Sequence, residues 1–252
     1  MSGSCLVAKL SHYAEIAESD AALLRHLEEE EQPHRKGEVI YAQGDTMRRL
    51  FVVKTGWLIS STDMPDGRRQ VVRVFQPGDV IGFPDMANPK AQTTLRAVEE
   101  GILCPFPYAR MSDIFELSPR LTALFFAISL RDQLVIMDLL RANSRMSARE
   151  RIAHMICEFA ARARVTREMK DNVLRLPLQQ QEIGDHLGLT NVYVSKTLTA
   201  LVAERKISRV EGGLKLHDLP GLQEIADFTD RHASLDTRWF PAASAPQAAA
   251  GS

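Results

Sequence analysis

The sequence predicts an α+β chain built from an N-terminal antiparallel β-roll, a long helix and a C-terminal winged helix-turn-helix. Three observations carry that prediction. Between Gly37 and Pro107, short apolar runs alternate with glycine-containing turn signals, the texture of a small roll of antiparallel strands. From about Pro119 to Asn143 there is no internal proline or glycine, and apolar residues recur at a four–three spacing. From Leu178 to Leu201, two short helical patterns meet at a glycine. The implied parts are a roll over 1–118, a long helix with its hinge over 119–146, the winged helix-turn-helix over 147–240, and a tail over 241–252.

In chain order, residues 6–31 read as helical: Leu10, Tyr13, Ile16 and Ala17, then Leu23, Leu24 and Leu27, recur at helical spacing, and Glu28 to Glu31 read as a solvated helix end. Strands follow at Val39–Tyr41, Leu50–Val53, Leu58–Ser60, Val71–Phe75, Val80–Gly82, Leu95–Val98 and Ile102–Cys104, separated by Gly44-Asp45, Thr55-Gly56, Asp66-Gly67 and Pro77-Gly78-Asp79. On the long helix, Leu121, Phe125, Ile128, Val135, Leu139 and Ala142 form one stripe, which Met146 continues and which Asp132 interrupts. About 25 residues is long for a globular helix, so the stripe reads as a two-stranded dimer seam. The plainer reading packs the helix on its own roll. Apolar residues off the stripe (Phe126, Leu130, Leu134, Met137, Leu140) allow one face to bind the roll and the other a partner. Ser144 to Ser147 is a polar break and candidate hinge. Ala148 to Arg164 is helical again, with Ile152, Met155, Ile156 and Phe159 on one face, and Val173 to Leu176 is a strand stopped by Pro177.

In the helix-turn-helix, Ile183 and Leu187 lie four apart on the apolar side of the first helix, and Gly188 takes the position where a left-handed backbone suits glycine. Leu189 plugs the angle between helices, and Thr190 is a candidate N-cap. The second helix buries Val194, Thr197, Leu198 and Leu201. Its other side offers Asn191, Val192, Tyr193, Ser195, Lys196 and Thr199 to base edges and phosphates. With Thr190, and with Gln179 and Gln180 opening the first helix, these form the candidate DNA-facing set. Ile207–Val210, Gly212-Gly213 and Leu214–Leu216 make a hairpin, the wing, where Arg209 and Lys215 can reach phosphates. A short helix over Leu219–Phe228 follows, and the Ala-, Pro- and Ser-rich end reads as disordered. An ordinary helical hairpin would share the two-helix pattern; the neighbouring elements favour the DNA reading.

Composition is that of a globular protein, and no apolar run approaches the roughly 20 residues a bilayer span needs. The N-terminus lacks the order of a signal peptide, and three widely spaced cysteines argue against a disulfide framework, so a cytoplasmic location is expected. Net charge is −1, but it is unevenly placed. Residues 1–144 hold 16 Lys+Arg against 19 Asp+Glu, residues 145–217 hold 13 against 8, and the remainder 2 against 5. Only the segment with the helix-turn-helix is basic, as phosphate attraction requires. Neither a phosphate-cradling Gly-rich loop nor a His-Glu-x-x-His pair occurs, so an enzyme is not expected.

Lys36-Gly37-Glu38-Val39-Ile40 with Gly44-Asp45, Val53-Lys54-Thr55-Gly56, Pro77-Gly78-Asp79-Val80-Ile81-Gly82 and Gln181-Glu182-Ile183-Gly184 to Leu201 occur in this order. In these motifs the chain resembles the cAMP-receptor-protein/FNR (Crp/Fnr) family of bacterial transcription regulators over about residues 10–218. The resemblance implies a homodimer on a palindromic DNA site, its recognition helices about one duplex turn (~34 Å) apart. It also implies a cyclic-nucleotide-type roll as sensor and, for an activator, RNA polymerase as a further partner. The departures are specific. Cyclic-nucleotide-binding members place a Glu after the glycine of the roll motif and an Arg-Ser or Arg-Thr pair about ten residues on. Here Phe83-Pro84 follows Gly82, and the later stretch reads Lys90-Ala91-Gln92-Thr93-Thr94. This argues against cAMP and leaves Phe83, Thr93, Thr94 and Arg96 as the candidate effector pocket. Cys5 and Cys104 do not supply four thiolates, which argues against an iron–sulfur cluster. Haem stays open, because a single His or Cys ligand leaves no spacing signature. Cys104 and Cys157 read as buried small hydrophobes, with a sensor thiol as the alternative. In the family's recognition helix a Glu and, four residues later, an Arg read the usual half-site. Val192 and Lys196 stand there instead, so a different half-site is expected. Effector control, constitutive action and redox or haem control remain open, as does a regulatory subunit that uses such a roll without DNA.

Overall fold

The computed structural model describes residues 3–242. The expected disorder of the tail falls, from 243 onward, outside those residues. Helices α1 (Cys5–Leu10) and α2 (Glu18–His26) precede the roll. The single helical stretch expected over 6–31 is thus two helices. Glu28 is no solvated helix end: it is buried, and its carboxylate accepts from the Cys5 and Leu6 N–H groups at 3.1 and 3.2 Å, satisfying the open amides of α1.

The roll consists of β1 (Gln32–His34), β2 (Val39–Tyr41), β3 (Arg49–Thr55), β4 (Leu58–Asp63), β5 (Arg69–Phe75), β6 (Val80–Ile81), β7 (Thr94–Ala97) and β8 (Gly101–Pro107), with a 3-10 turn over Phe83–Ala87. They form two antiparallel four-stranded sheets, ordered β1-β8-β3-β6 and β2-β7-β4-β5. Val53, Leu58, Ile81, Leu95 and Leu103 fill the space between them. The outer side of the first sheet carries α1, α2, α3 (Ala109–Leu117) and the start of α4 (Pro119–Arg145), packed through Leu24, Leu50, Ile114, Leu121 and Phe125.

Helix α4 begins with Ser118, whose hydroxyl accepts from the Leu121 N–H, and Pro119 in the first turn. It runs 27 residues and stops at Met146, which is extended. The break is only Met146–Ser147, because Ser147 at once caps α5 (Ala148–Val165) through a reciprocal pair with Glu150. Then come β9 (Val173–Arg175), α6 (Gln180–Leu187), α7 (Asn191–Ala203), β10 (Ile207–Val210), β11 (Gly213–Leu216) and α8 (Leu219–Ala226), with the three strands ordered β10-β11-β9. Helix α5 is the shared wall. Its Ile152, Ile156, Phe159 and Ala160 lie in one core with Trp57, Ile59 and Val74 of the roll and with Ile183, Leu198 and Leu214 of the winged helix.

Candidate nucleic-acid interface and sensor cavity

The helix-turn-helix geometry follows from small local choices. Gly188 ends α6 in the left-handed region, at φ +64°. Gly184 lets the turn close, since a Cβ there would lie 2.5 Å from the Leu189 carbonyl oxygen. The Thr190 hydroxyl accepts from the Tyr193 N–H at 3.4 Å and caps α7. Val194, Leu198 and Leu201 are buried, Thr197 half-buried. The outward side exposes Thr190, Asn191, Val192, Tyr193, Lys196 and Thr199, with Ser195 half-buried at its margin. Gln179 is exposed and Gln180 half-buried at the start of α6; Arg209 and Lys215 are exposed on the wing. Lys196, Arg209 and Lys215 enter no ion pair among the described residues, so their charges are available to a phosphate or base. The Asn191 amide donates to Gln181 Oε1 at 2.9 Å, tying the recognition helix to α6.

The module is docked on the roll at edge strand β5. Arg69 donates to Asp185 at 2.9 Å, the Gln70 amide to the His186 carbonyl at 3.3 Å, and His186 Nδ1 lies 3.1 Å from the Val71 carbonyl. Covering β5 with α6 satisfies an edge that would otherwise be open to pairing.

The stripe expected as a dimer seam is occupied within the chain. Leu121 and Phe125 are buried, and Ile128 and Leu139 half-buried, against the chain's own core; Ala142 is buried, and Val135, half-buried, lines the cavity described below. Asp132, the interruption in that stripe, pairs with Arg73 of β5 and with Arg131 at 2.8 Å, which explains its place on an inward face. The free apolar face of α4 is the other one: Phe126, Leu130, Leu134, Met137 and Leu140 are exposed.

A cavity of about 610 Å³ lies between the roll, α4 and α5, extending to His186 of α6. Of the expected effector residues, Phe83 and Thr93 line it, and the Thr93 hydroxyl accepts from Ser60 at 2.6 Å. Thr94 and Arg96, expected beside them, do not line it. On β7, Leu95 and Ala97 face the roll core, so their neighbours point away by the two-residue period of a strand. Thr94 accepts from the Gln43 N–H, and Arg96 donates to the Gly37 carbonyl at 3.1 Å.

Sequence reasoning missed the groups that dominate the cavity. Asp79 is buried and pairs with Lys9 of α1 and Arg162 of α5. Burial works to raise its pKa, but Arg162 and Lys9 outweigh that and hold it well below the carboxylate range. Glu158 stands 3.6 Å from Arg162 and 3.3 Å from His232. There too burial is outweighed, by Arg162 and then His232, and the carboxyl is held down at about 2. Asp132, with Arg73 and Arg131, is likewise held at about 2 against burial. Arg131 also donates to the Tyr13 hydroxyl at 2.8 Å. The cations therefore already have partners, and with Phe83 and Thr93 in place of a Glu and an Arg, the residues present do not fit a cyclic nucleotide phosphate. The thiols do not fit a four-thiolate cluster either: the chain has three, Cys104 and Cys157 are buried, and the Cys5 thiol donates to Glu28.

A winged helix with an exposed recognition face, docked on a double-sheeted roll, is the build of a DNA-binding protein. The comparisons agree with that class. The cyclic nucleotide-binding domain model matches residues 31–118 and the Crp-like helix-turn-helix domain model residues 150–225. The chain is 30% identical over 227 residues to the transcriptional activator protein FnrA of Stutzerimonas stutzeri, covering 88% of this chain and 90% of that protein. It is 27% identical over 222 residues to the transcriptional activator protein anr of Pseudomonas aeruginosa, with 88% and 90% covered. The structure of FixK2 from Bradyrhizobium japonicum shares the fold, with a TM-score of 0.69 at 23% identity over 78% of this chain and 96% of that one. The chain belongs to the Crp/Fnr family; it is a DNA-binding transcription regulator and not an enzyme. No helix among the described residues is long and apolar enough to cross a membrane.

Proposed function

We propose that two copies of the chain pair along the exposed face of α4 and present their α7 helices to successive major-groove half-sites of a palindromic DNA. The observation that carries this reading is the outer side of α7, where Asn191, Val192, Tyr193, Lys196 and Thr199 are exposed while Val194, Leu198 and Leu201 anchor the helix from behind. Lys196 takes guanine O6 or N7, Val192 packs on a thymine methyl, and Asn191 and Ser195 bond base edges or phosphates. Tyr193, Thr190, Thr199, Gln179, Gln180, Arg209 and Lys215 hold the backbone and set the register. Pairing is supported by Phe126, Leu130, Met137 and Leu140, which repeat at four, seven and three residues on one exposed side of a 27-residue helix, where Phe126 alone meets a ring of its own chain, edge-on to Trp239 at 6.3 Å. The protein acts in the cytoplasm, where its DNA is, and if it activates transcription it contacts RNA polymerase.

Fluorescence anisotropy with labelled fragments of promoter DNA, repeated across salt concentrations, tests the reading. The protein should bind saturably and sequence-dependently, with affinity falling steeply as salt rises. Lys196→Ala should weaken binding about tenfold, as expected for loss of one base contact. A protein that binds every fragment equally, or none, refutes the proposal.

A further inference from the structure

We propose that residues 227–241 brace the winged helix: laid as a strap along α4, they hold the DNA module in the arrangement that leaves α7 open, and thereby tighten its grip on DNA. This rests on the regulator reading, because it concerns how firmly such a regulator holds its site.

The winged helix is complete with α8, whose Leu222 and Ala226 lie in the core shared with α5. The chain then turns back at Asp227, left-handed at φ +43°, and runs antiparallel to α4. Arg141 donates to the Asp227 carboxylate at 2.8 Å and to its carbonyl at 3.1 Å. Arg231 pairs with Asp138 at 2.9 Å, and Trp239 meets Phe126 edge-on at 6.3 Å. Arg120, in the first turn of α4, donates to the Pro241 carbonyl at 3.1 Å. As residue numbers in the strap rise from 227 to 241, those of their partners fall from 141 to 120, about 32 Å of helix at about 1.5 Å per residue. Arg120 and Asp138 are separated by roughly five whole turns, so the strap follows one flank of α4.

The strap is also fastened sideways. Phe228 lies edge-on to His154 of α5 at 5.4 Å, and the buried His232 stands 3.3 Å from Glu158 of the same helix. His12, just past α1, lies 3.1 Å from the Ala233 carbonyl. Leu235 and Phe240 pack in the cluster of Leu6, Leu10, Leu24 and Leu121, on the outer side of the first sheet. Among the described residues, the strap's hydrogen bonds and ion pairs beyond itself and α8 go to α4, α5 and His12, and none goes to α6, α7 or the wing.

The DNA module is therefore held at two separated places. On one side α6 covers β5; on the other, the strap ties α8 to α4 and to the helices on the first sheet. A module that swung about Met146–Ser147 would have to peel the strap away or pull Phe240 out of its site. The seated strap does not work by occlusion, since Asn191, Val192, Tyr193, Lys196 and Thr199 are exposed with it in place. It works by preorganisation: a module already fixed gives up less freedom when DNA binds, and affinity rises accordingly.

The test uses the full-length protein, promoter DNA in the anisotropy assay, and hydrogen exchange read by mass spectrometry. Arg231→Asp sets like charges against each other at Asp138, and Phe240→Asp puts a charge in an apolar site, so each should free the strap and speed exchange across 227–241. Each should weaken promoter binding about tenfold, with exchange in α7 and the salt slope unchanged, because the phosphate contacts are intact. Asp138→Arg added to Arg231→Asp restores an opposite-charge pair and should recover most of the affinity. Arg238→Ala, at a side chain paired with Asp236 inside the strap, should change nothing. Unchanged or tighter binding with the strap freed overturns the proposal. So does a loss of binding that appears only with loss of protection in α7, or exchange across 227–241 that is no faster in either variant. Failure of the charge-swapped pair to recover affinity overturns it too, by assigning the loss to something other than the strap's contact with α4. A parent protein that ignores promoter DNA removes the regulator reading; a parent that binds, with freed variants that bind equally, removes the brace alone.

Discussion

Replacing Asp79 by Asn should loosen the whole assembly, because this one carboxylate joins three segments far apart in the chain. It sits on the Pro77-Gly78-Asp79 turn, accepts from the Gln76 N–H at 2.8 Å, and pairs with Lys9 of α1 and Arg162 of α5. Asn keeps the volume and some hydrogen bonding but leaves two buried cations with less than they need. Arg162 retains Glu158 at 3.6 Å; Lys9 has no second carboxylate among the described residues. Burial lowers the pKa of Lys9 even with Asp79 beside it, so without that partner its ammonium is an uncompensated charge. Breaking a buried pair by removing one member costs about 3–5 kcal/mol. For a chain of this size that is a fall in melting midpoint of roughly 10 °C, read by circular dichroism. The folded pKa of Asp79 is depressed, so its contribution is present above the unfolded value near ~3.9 and is lost as pH falls through the folded value. The gap between parent and variant should therefore stay constant from pH 8 to 5 and narrow only below about pH 4. Adding Lys9→Met should recover part of the loss by removing the orphaned charge. A single variant that loses under about 1 kcal/mol, or a double variant whose losses simply add, would refute the reasoning.

Further outcomes follow from other parts of the molecule. Met137→Glu with Leu140→Glu, at positions 63% and 66% exposed, should leave the melting of the protomer nearly unchanged. The same pair should reduce the mass in sedimentation velocity to that of one chain; an unchanged dimer would place the seam elsewhere. Gly184→Ala puts a methyl group 2.5 Å from a backbone oxygen and should cost about 1–3 kcal/mol while opening the helix-turn-helix angle. Promoter affinity should fall with it, and retained affinity in the anisotropy assay would show that the turn tolerates the shift. Burial lowers the pKa of His186, so its contribution is full above the unfolded value near ~6.5 and is lost as pH falls through the folded one. His186→Asn should flatten the decline in melting midpoint between pH 7 and 5, and an unaltered slope would assign that decline to other groups.

The helix-turn-helix was legible because its determinants are local. Gly188, Thr190 and the spacing of Val194, Leu198 and Leu201 act within one or two turns, and capping and periodicity report on such distances. The roll was legible as alternating apolar runs and turns, yet which residues faced its interior was not. Thr94 and Arg96 fell on the wrong side because a strand reverses its faces with every residue, and nothing in the sequence marks the register. Helix α4 shows a different limit. Apolar residues cover two of its faces, and periodicity cannot say which meets the chain itself and which meets a partner. Asp132 held the missing information, since a carboxylate inside an apolar stripe needs a cation brought by the fold, and that cation is Arg73, 59 residues earlier in the chain. Glu28 misled for the same reason, as its amide donors lie more than 20 residues away.

The arrangement of the core bears on how such a chain can transmit a signal. Helix α5 is not a tether between two bodies, because its Ile156 and Phe159 pack on both the roll and the winged helix. Phe159 meets Trp57 edge-on at 5.5 Å on one side and stacks with His186 at 6.1 Å on the other. Re-aiming α7 therefore requires α5 to slide against β4 and β5, or α6 to part from β5, and each motion breaks a discrete set of contacts. Parting α6 from β5 breaks Arg69–Asp185 and the contacts of Gln70 and Val71 with His186. Sliding α5 disturbs Arg162–Asp79 and so the turn that carries Gln76. A packed interface with few alternatives behaves as a two-state element rather than a continuously variable one. A bound group can shift the balance only by binding one arrangement better than the other, and the ion pairs of Asp79 are contacts that the second motion would break.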